Sequence, residues 1–506
     1  MCKRWPIDYL FLCFVLLLAA ALRFTNLESN PGWYSDEGTH LEIVRHLLDG
    51  RVQYLAINQS HLLFSRLPLF GRLLAFTAGF QGVNMPALRS LTAALGTISV
   101  GLTYLATKRL TKDEWLPLLA ALSLAIYPEA VLYSRLGFSY GVLAPLLLLA
   151  LWGFGLSLDH FEFAEPQEFD WGIWVAAGAI GLGMISDLAM ISLTPLLIWY
   201  SIGREWSNLD LKRLFPLLFA GLPLGLFVFF QMISNGDAFW FDLAFVRSRL
   251  GGKSILDQLW LIGQNFTLLL NQSSWFALGF VGLWLIPDHT KRNMLLLGLA
   301  CPLLILGRST PLVELGFYYI AWVLPVVAVG LGALLRFGAI FLVKQVENDR
   351  MGQVMVFILI VLPLAISTGL TWQRVQNQFG TNIDPFLLNA ADAIVATDFV
   401  NNNLDQGDVV LASPGLAWRI DGKVADFQMA LAAEGIGTPH LPADLPSERF
   451  EFDPTFENAR YVVEDNLWRN WAYFHIPELV EKREIFQQWP IVFQSGEITV
   501  FENPID

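Results

Sequence analysis

Charged residues and cysteines are both scarce in this chain. Asp, Glu, Lys and Arg make up only 15% of its 506 residues, hydrophobic residues make up 55%, and the mean hydropathy is +0.49. This composition excludes an ordinary soluble globular protein and predicts a polytopic membrane protein. The three cysteines are Cys2, Cys13 and Cys301, so residues 375–506 have no disulfide framework, and no Cys/His metal-binding pattern is present.

Basic residues are few in the C-terminal part of the sequence. From Val375 onward there are 21 Asp and Glu but 7 Lys and Arg, whereas residues 1–374 have 24 and 25. The sequence therefore predicts a nearly neutral membrane domain over 1–374 and an acidic soluble domain over 375–506. An acidic domain argues against nucleic acid as a partner, because binding to nucleic acid depends on basic side chains.

Apolar runs predict about eleven membrane-spanning helices. We place them at 7–24, 87–107, 115–133, 140–158, 171–186, 188–203, 214–233, 274–287, 293–308, 317–336 and 353–372. Residues 171–203 are too long for one span, so two short helices are expected to meet at Ser186-Asp187. The Lys and Arg clusters fall on one side of this topology. They place the N-terminus in the cytoplasm and residues 25–86, 234–273 and 375–506 outside the plasma membrane.

Two adjacent carboxylates, Asp36 and Glu37, follow the first predicted span. The residues after them predict an amphipathic interfacial helix that Ser35 or Asp36 caps and Gly50 ends. Four polar residues are expected to face away from its apolar side: Glu42, Arg45, His46 and Asp49. A second apolar segment, Pro68 to Phe80, is too short to span a membrane. The carboxylate pair either caps the helix or does chemistry at the boundary between water and lipid.

Basic residues on the same predicted side are candidates for binding an anion. Arg135 ends the third predicted span, and Arg247, Arg249 and Lys253 belong to one predicted loop with two glycines. Such a loop suits a lipid phosphate, which it would bind through charge-assisted hydrogen bonds. It equally suits a solvated surface, and Arg135 equally suits a snorkelling role at a helix end.

A metal site is a further alternative in the first outer loop. His40 and His61 are placed to join Asp36 around a divalent metal, but their spacing is not diagnostic. No motif in the sequence requires a cofactor, so the use of a metal stays open.

The order of these motifs resembles that of the GT-C glycosyltransferases. The nearest relatives in pattern are the dolichyl-phosphate-mannose protein mannosyltransferases, the bacterial aminoarabinose transferases and related bacterial enzymes that use polyprenyl-phosphate sugars. Tyr133-Ser134-Arg135 is similar to the superfamily's Ser-Arg element, and the Gly-rich run 177–203 is similar to its paired short helices. Phe317-Tyr318-Tyr319 resembles a late aromatic span. Asp187 stands where many relatives carry Lys, and an Arg often found before the tyrosine is missing.

The resemblance implies a cell-envelope transferase that moves a sugar from a polyprenyl-phosphate donor to a hydroxyl group, with inversion. The acceptor is a lipid, a protein or a glycan outside the cytoplasm. The resemblance also implies a catalytic role for Asp36 with Glu37, and substrate-binding roles for Arg135 and Tyr319.

The soluble domain is expected to have an α/β fold. Strands are predicted at 408–412 and 460–463, a helix at 477–488 and a hairpin about Gly496. This domain has no phosphate loop or catalytic triad, so we expect it to cover the site or recruit the acceptor. The alternative for the whole chain is a secondary transporter or lipid-linked-sugar flippase, which would share the broken helices and Asp187.

Overall fold

The computed structural model describes residues 5–504 apart from eight segments: 60–66, 112, 164–169, 202–213, 250–253, 309–316, 346–348 and 378–385. Helices dominate the chain up to residue 376. The α-helices there are α1 (Trp5–Phe24), α2 (Ser35–Leu48), α3 (Pro68–Gln81), α4 (Met85–Leu110), α5 (Leu116–Ile126), α6 (Pro128–Tyr133), α7 (Tyr140–Phe163), α8 (Trp171–Met184), α9 (Thr194–Ser201), α10 (Phe215–Ser234), α11 (Gly236–Arg249), α12 (Ile255–Gln272), α13 (Ser274–Leu283), α14 (His289–Gly307), α15 (Leu324–Gln345), α16 (Asp349–Val356) and α17 (Leu362–Gln376). Two 3-10 helices, Leu188–Leu193 and Phe317–Val323, precede α9 and α15, and a π-helical turn, Phe357–Val361, joins α16 to α17.

Several of these helices are apolar enough to cross a membrane. By length and composition alone, six helices in the described part of the chain qualify: Met85–Leu110, Tyr140–Asp159, Phe215–Ser234, His289–Gly307, Tyr319–Lys344 and Val354–Gln376. A seventh span results if Ile255–Asn271 and Ser274–Leu283, bent by 106°, are counted together. The chain is thus a polytopic helical membrane protein, and the number of eleven spans stays a prediction.

The predicted break between two short helices at Ser186-Asp187 is confirmed. Helix α8 ends at Met184, and an Asp187 carboxylate oxygen accepts a hydrogen bond of 2.8 Å from the Ala189 amide, capping the 3-10 helix that leads into α9. Glycine lets α8 approach α10 closely here, because a Cβ on Gly181 would lie 2.7 Å from the Ala220 carbonyl oxygen. Asp187 therefore has a structural role, because it caps the helix that follows the break.

The predicted helix after the first span is present as α2, but its cap differs from the prediction. Neither Ser35 nor Asp36 is the capping residue: Tyr34 occupies that position, and the Glu37 carboxylate accepts from the Tyr34 amide at 3.1 Å. Two residues expected to face water, Glu42 and His46, are buried instead and pair with each other at 3.0 Å. The prediction failed because it assumed that one face of α2 is exposed to water.

A five-stranded mixed sheet with flanking helices forms the part of the chain after residue 386. The first outer loop has a two-stranded hairpin, β1 (Gln53–Tyr54) and β2 (Ile57–Asn58). The elements after residue 386 are α18 (Ala390–Asn402), β3 (Val409–Ala412), α19 (Pro414–Ala417), β4 (Lys423–Ala425), α20 (Phe427–Ala433), two 3-10 turns (Ser447–Arg449 and Phe456–Asn458), β5 (Ala459–Glu464), a π-helical turn (Trp468–Ala472), α21 (Tyr473–His475), α22 (Pro477–Phe486), β6 (Ile491–Ser495) and β7 (Ile498–Glu502). The strands of the sheet lie in the order β4-β3-β5-β7-β6, with β3 parallel to β4 and β5, and β7 antiparallel to β5 and β6.

This C-terminal part packs directly on the first outer loop. Trp33 and Leu388 exchange two backbone hydrogen bonds, of 2.9 and 2.8 Å, and the Trp33 ring lies 5.1 Å from that of Trp418. Helix α19 lies against α2 at Gly38, where a Cβ would come within 1.7 Å of the Pro414 carbonyl oxygen. Only glycine allows this approach, so the start of α2 is covered by the C-terminal part.

A second contact involves a buried ion pair. Arg449 donates to Asp242 on α11 at 3.1 Å, and both side chains are almost fully buried. The Arg449 Nε atom also donates to the Asn58 carbonyl oxygen at 2.9 Å. One arginine therefore joins three segments that are distant in sequence.

Candidate functional site

Asp36 lies in the first turn of α2 and is half-buried. It follows the buried residues Trp33 and Tyr34, and the next residue, Glu37, has no exposed surface. Acidic side chains in the first turn interact favourably with the N-terminal end of the helix dipole. Asp36 is thus a partly exposed residue at the start of a helix whose neighbouring residues are buried.

Glu37 has a different environment from its neighbour. Its two carboxylate oxygens accept from Arg89 Nε at 2.7 Å and from an Arg89 terminal nitrogen at 2.6 Å, which is a bidentate pair with both side chains fully buried. They also accept from the backbone amides of Tyr34 at 3.1 Å and Gly137 at 2.7 Å. Four donors saturate this carboxylate, and together they join α2, α4 and the segment after α6.

Arg89 continues this network into the loop before α2. Its guanidinium group donates to the carbonyl oxygens of Leu27 at 2.8 Å, Asn30 at 3.3 Å and Gly32. The predicted site did not include Arg89, which lies near the start of the predicted span 87–107 and of helix α4. An arginine within an apolar helix was itself the signal, since such residues are costly in a membrane unless they are paired or used.

Arg135 is buried and binds the turn between α1 and α2. It donates to the carbonyl oxygens of Leu22 at 3.1 Å, Thr25 at 2.6 Å and Asn30 at 3.2 Å, and to the Asn30 side-chain oxygen at 3.1 Å. These contacts bring Arg135 close to the Glu37–Arg89 pair, since Arg89 also donates to the Asn30 carbonyl. The structure shows Arg135 as a support of the loop that carries Asp36, and its predicted role in substrate binding stays a prediction.

The other predicted cations are only partly described. Arg247 is exposed, and it lies within helix α11 rather than in a loop, because α11 continues to Arg249. The prediction of a loop from 245 onward is therefore wrong for its first five residues. The side chain of Arg249 and the whole of Lys253 lie outside the described residues, so their predicted role in substrate binding stays a prediction.

Tyr319 lies in the 3-10 helix before α15, and its ring is 5.1 Å from that of Tyr140. Its carbonyl oxygen accepts from the Trp322 indole at 3.0 Å. These contacts place Tyr319 beside a recess at the end of α1, to which both Tyr140 and Trp322 contribute. Its predicted binding of substrate stays a prediction.

The recess is a small cavity of about 50 Å³ that opens to solvent. Aromatic and small side chains dominate its lining, and Arg23 is the one cationic group among the described residues that form it. Its lining residues are Arg23, Thr92, Gly96, Ser99, Leu124, Ala130, Tyr133, Ser134, Phe138, Tyr140, Gly141, Ala144, Ala321, Trp322 and Pro325. The Phe138 ring packs edge-on against Tyr34 at 5.3 Å, two residues before Asp36.

A metal site is not apparent in the described part of the chain. No three His, Cys, Asp or Glu side chains there are grouped as ligands. His40 is buried with its ring 4.6 Å from that of Phe70, and His61 lies outside the described residues. The question of a metal beside Asp36 stays open.

Comparisons with known proteins agree on the fold. No protein-family model matches the sequence, and no curated protein matches it significantly. Among solved structures, ArnT from Cupriavidus metallidurans bound to undecaprenyl phosphate is similar with a TM-score of 0.64 and 14% identity, over 100% of this chain and 99% of that one. Its apo state gives a TM-score of 0.65 with 13% identity, over 99% and 98% of the two chains.

The oligosaccharyltransferase AglB from Archaeoglobus fulgidus, in complex with an inhibitory peptide and a dolichol-phosphate, is similar with a TM-score of 0.56 and 13% identity, over 94% of this chain and 71% of that one. Both proteins are GT-C glycosyltransferases. The chain therefore has a GT-C fold, as the order of its motifs predicted.

Proposed function

We propose that this protein is an integral-membrane glycosyltransferase that takes a sugar from a polyprenyl-phosphate donor. The observation that carries the proposal is the half-buried Asp36 at the start of α2, in a chain whose full length is similar to a structure holding undecaprenyl phosphate. A donor with a lipid tail requires a site at the membrane, and a hydroxyl acceptor reaches that site from water. Residues 25–86 and 375–506 are then on the extracytoplasmic side.

In the proposed reaction Asp36 is the general base. Its carboxylate takes the proton of the acceptor hydroxyl as the hydroxyl oxygen bonds to the anomeric carbon of the sugar. The bond between that carbon and the phosphate oxygen breaks, and polyprenyl phosphate leaves with the electron pair. Attack opposite to the leaving group inverts the anomeric centre. Asp36 is partly exposed, which supports a role in contact with a substrate.

Glu37 acts in this proposal through its contacts and does not exchange protons. All four of its hydrogen bonds come from N–H donors of Arg89, Tyr34 and Gly137, so no oxygen remains for a substrate proton. The pair of Glu37 and Arg89 instead positions the first turn of α2. Arg135 supports the preceding turn in the same way.

The soluble part of the chain completes this arrangement. Because Trp33, Gly38 and Arg45 all contact residues beyond 387, the C-terminal domain covers α2 beside Asp36. We infer that it borders the approach of the acceptor, which is a lipid, a protein or a glycan.

The proposal is tested with purified protein and a panel of polyprenyl-phosphate sugars. We expect release of polyprenyl phosphate with at least one donor in the presence of an acceptor, and release slower by about 10²–10⁴-fold in Asp36→Asn. Movement of a lipid-linked sugar across a vesicle membrane without any release would instead identify a flippase. No release with any donor, from a folded protein that binds polyprenyl phosphate, would contradict the transferase assignment.

A further inference from the structure

The order of the parallel strands in the C-terminal sheet points to one place where an α/β domain commonly binds a ligand. Strand β3 lies between its parallel neighbours β4 and β5, and the chain leaves β3 for β4 on one side and later crosses to β5 on the other. In open α/β sheets such a reversal of direction leaves a crevice at the carboxyl ends of the two strands involved, and ligands bind there. In this protein the place lies between the carboxyl ends of β3 and β5.

Two buried polar side chains meet at this point. Ser413 directly follows β3 and Asp465 directly follows β5, and the Ser413 hydroxyl group donates a hydrogen bond to the Asp465 carboxylate. The second carboxylate oxygen accepts from the backbone amides of Leu467 at 2.9 Å and Trp468 at 3.4 Å. Both Ser413 and Asp465 have 1% or less of their surface exposed. A buried hydrogen bond to a carboxylate is a strong one, so this pair fixes the ends of β3 and β5 relative to each other.

The protein's own first outer loop lies against this point. Helix α19 begins directly after Ser413. A Cβ on Gly415 of this helix would lie 3.6 Å from the Ser35 Cα atom, and the Pro414 carbonyl oxygen lies against Gly38 on α2. The first turn of α2, which carries the proposed base, therefore takes the place at the sheet edge that a ligand takes in other α/β domains.

A second contact from the end of β5 reaches the other side of the proposed base. Asn466 is also buried, and its side-chain nitrogen donates to the Leu387 carbonyl oxygen at 3.4 Å. The next residue, Leu388, exchanges the two backbone hydrogen bonds with Trp33. Because Trp33 precedes Asp36 by three residues, the chain on both sides of that carboxylate is connected to the end of β5.

We propose that three buried side chains, those of Ser413, Asp465 and Asn466, position the carboxylate that is the proposed base. They act through the backbone of α19 and of residues 387–388 rather than by contact with a substrate. The sheet edge that commonly binds a ligand here binds the loop that carries the base. The inference rests on the proposed function for the role of Asp36. It adds that residues more than 370 positions further along the chain determine where that carboxylate lies.

The first measurement compares two substitutions of Ser413 that have the same shape. Threonine and valine fill the same volume, but only Ser413→Thr keeps the hydroxyl group that donates to Asp465. The readout is release of polyprenyl phosphate by the full chain in detergent. We expect kcat to be at least about tenfold lower in Ser413→Val than in Ser413→Thr, because a small displacement of a catalytic group slows the chemical step strongly. The KM for the donor should be the same in both, since the loss is confined to the chemical step.

The second measurement does not depend on activity. Backbone hydrogen exchange in peptides that cover residues 33–41 should be faster in Ser413→Val than in Ser413→Thr, because a weaker contact opens more often. Asn466→Ala should also speed this exchange and lower kcat. Asn503→Ala is the matched control, because its buried side chain donates to the Ala459 carbonyl oxygen at 3.0 Å, at the opposite edge of the same sheet. It should leave exchange in 33–41 and kcat unchanged.

Two results would overturn the inference. One is equal kcat and equal exchange in Ser413→Thr and Ser413→Val. The other is an effect of Asn503→Ala as large as that of Asn466→Ala, which would show that any weakening of the C-terminal domain disturbs the loop. If Ser413→Val does not fold, the comparison of Asn466→Ala with Asn503→Ala decides, and equal results for these two variants are evidence against the inference.

The same measurements separate this inference from the proposed function. If Asp36→Asn loses turnover while the two Ser413 variants are alike in kcat and in exchange, the positioning role fails and the proposed mechanism stands. If Asp36→Asn keeps its turnover while exchange in 33–41 still depends on the hydroxyl group of residue 413, the proposed mechanism fails and the support of the loop by Ser413 stands.

Discussion

Asp36 and Glu37 are adjacent carboxylates with different surroundings, and the proposed function gives them different roles. Asp36 is partly exposed at the helix start, whereas Glu37 is buried and bonded to four donors. Substituting each by its amide therefore tests two different quantities, turnover and folding stability.

For Asp36→Asn we expect nearly normal folding, because Asp36 is half-buried and is not the cap of α2, so the lost charge costs about 0.3–1 kcal/mol of interaction with the helix dipole. Turnover should fall by about 10²–10⁴-fold, since the base is lost. The measurement is the rate of polyprenyl phosphate release beside a thermal unfolding curve. A well-folded variant with near-normal turnover would refute the proposed role.

Glu37→Gln should behave in the reverse way. It leaves the Arg89 guanidinium buried without a counter-charge, which typically costs about 3–5 kcal/mol of folding free energy. We expect a clearly lower unfolding temperature, and less loss of turnover than in Asp36→Asn for the fraction that folds. An unfolding temperature equal to that of the parent protein would show that the buried pair contributes nothing.

The two carboxylates also mark the limit of what the sequence could predict at this site. The sequence of residues 30–40 predicted that the two carboxylates follow the first span, and it predicted helix α2 correctly. The cap was predicted at the wrong residue, although the Tyr34 amide and the Glu37 carboxylate that define it are only three positions apart. The pairing of Glu37 with Arg89 could not be predicted, because Arg89 is 52 residues away and local patterns carry no information on such a pair.

At the scale of the elements, the close contact between helices α2 and α19 leaves no space for a larger side chain at residue 38. A methyl group at residue 38 would overlap the Pro414 carbonyl, whereas a Cβ added to Gly71 on α3 would have nothing within 4 Å. We expect Gly38→Ala to lower both stability and turnover by separating the two helices. Gly71→Ala is the matched control and should be neutral or slightly stabilising, because alanine favours a helix over glycine. Equal thermal stability and turnover of the two variants would argue against the contact.

Two of the three parallel strands of the C-terminal sheet are followed by a buried carboxylate. Asp426 follows β4 and Asp465 follows β5, and burial raises the pKa of each to about 6. The pKa of an Asp side chain in an unfolded chain is about 3.9. Between about pH 4 and 6, Asp426 and Asp465 therefore bind more protons in the folded chain than in the unfolded chain. Stability should therefore decrease as the pH rises through this window and level off above it.

The measurement is the unfolding temperature from pH 4 to 7 for the parent protein and for Asp426→Asn. The variant keeps the helix cap and should show a weaker dependence on pH. Asp444→Asn, at an exposed position of the same domain, is the control. An identical pH dependence in the parent protein and Asp426→Asn would contradict the effect of burial on Asp426.

Elements with a strong local pattern were the ones that could be predicted from sequence. Asp187 and the glycines before it indicated the break between α8 and the following 3-10 helix, and Gly496 indicated the turn between β6 and β7, where its φ is 53°. The burial of Glu42 and His46 was not predictable, since the residues that contact α2, such as Pro414, lie more than 300 positions further along the chain.

For the whole molecule, the one-sided arrangement of Lys and Arg predicts the orientation. A reporter that is active only in the cytoplasm should be inactive when fused after Asp506, and active when inserted between Arg204 and Lys212. Reporter activity after Asp506 would place the C-terminal end in the cytoplasm, and it would refute the prediction of an odd number of spans. The direct packing of the first outer loop on the C-terminal part requires both to be on the same side.

The backbone pairing of Trp33 with Leu388 has a consequence for biosynthesis. The ribosome makes the segment that carries Asp36 more than 350 residues before the strand partner of Trp33, and Arg449, which joins Asp242 to Asn58, comes later still. The loop that carries Asp36 therefore gains its final contacts only when nearly the entire polypeptide has been inserted. A nascent or prematurely terminated chain would possess the membrane helices and the carboxylate, but its first outer loop would lack the surface that fixes it, so incomplete products would be inactive.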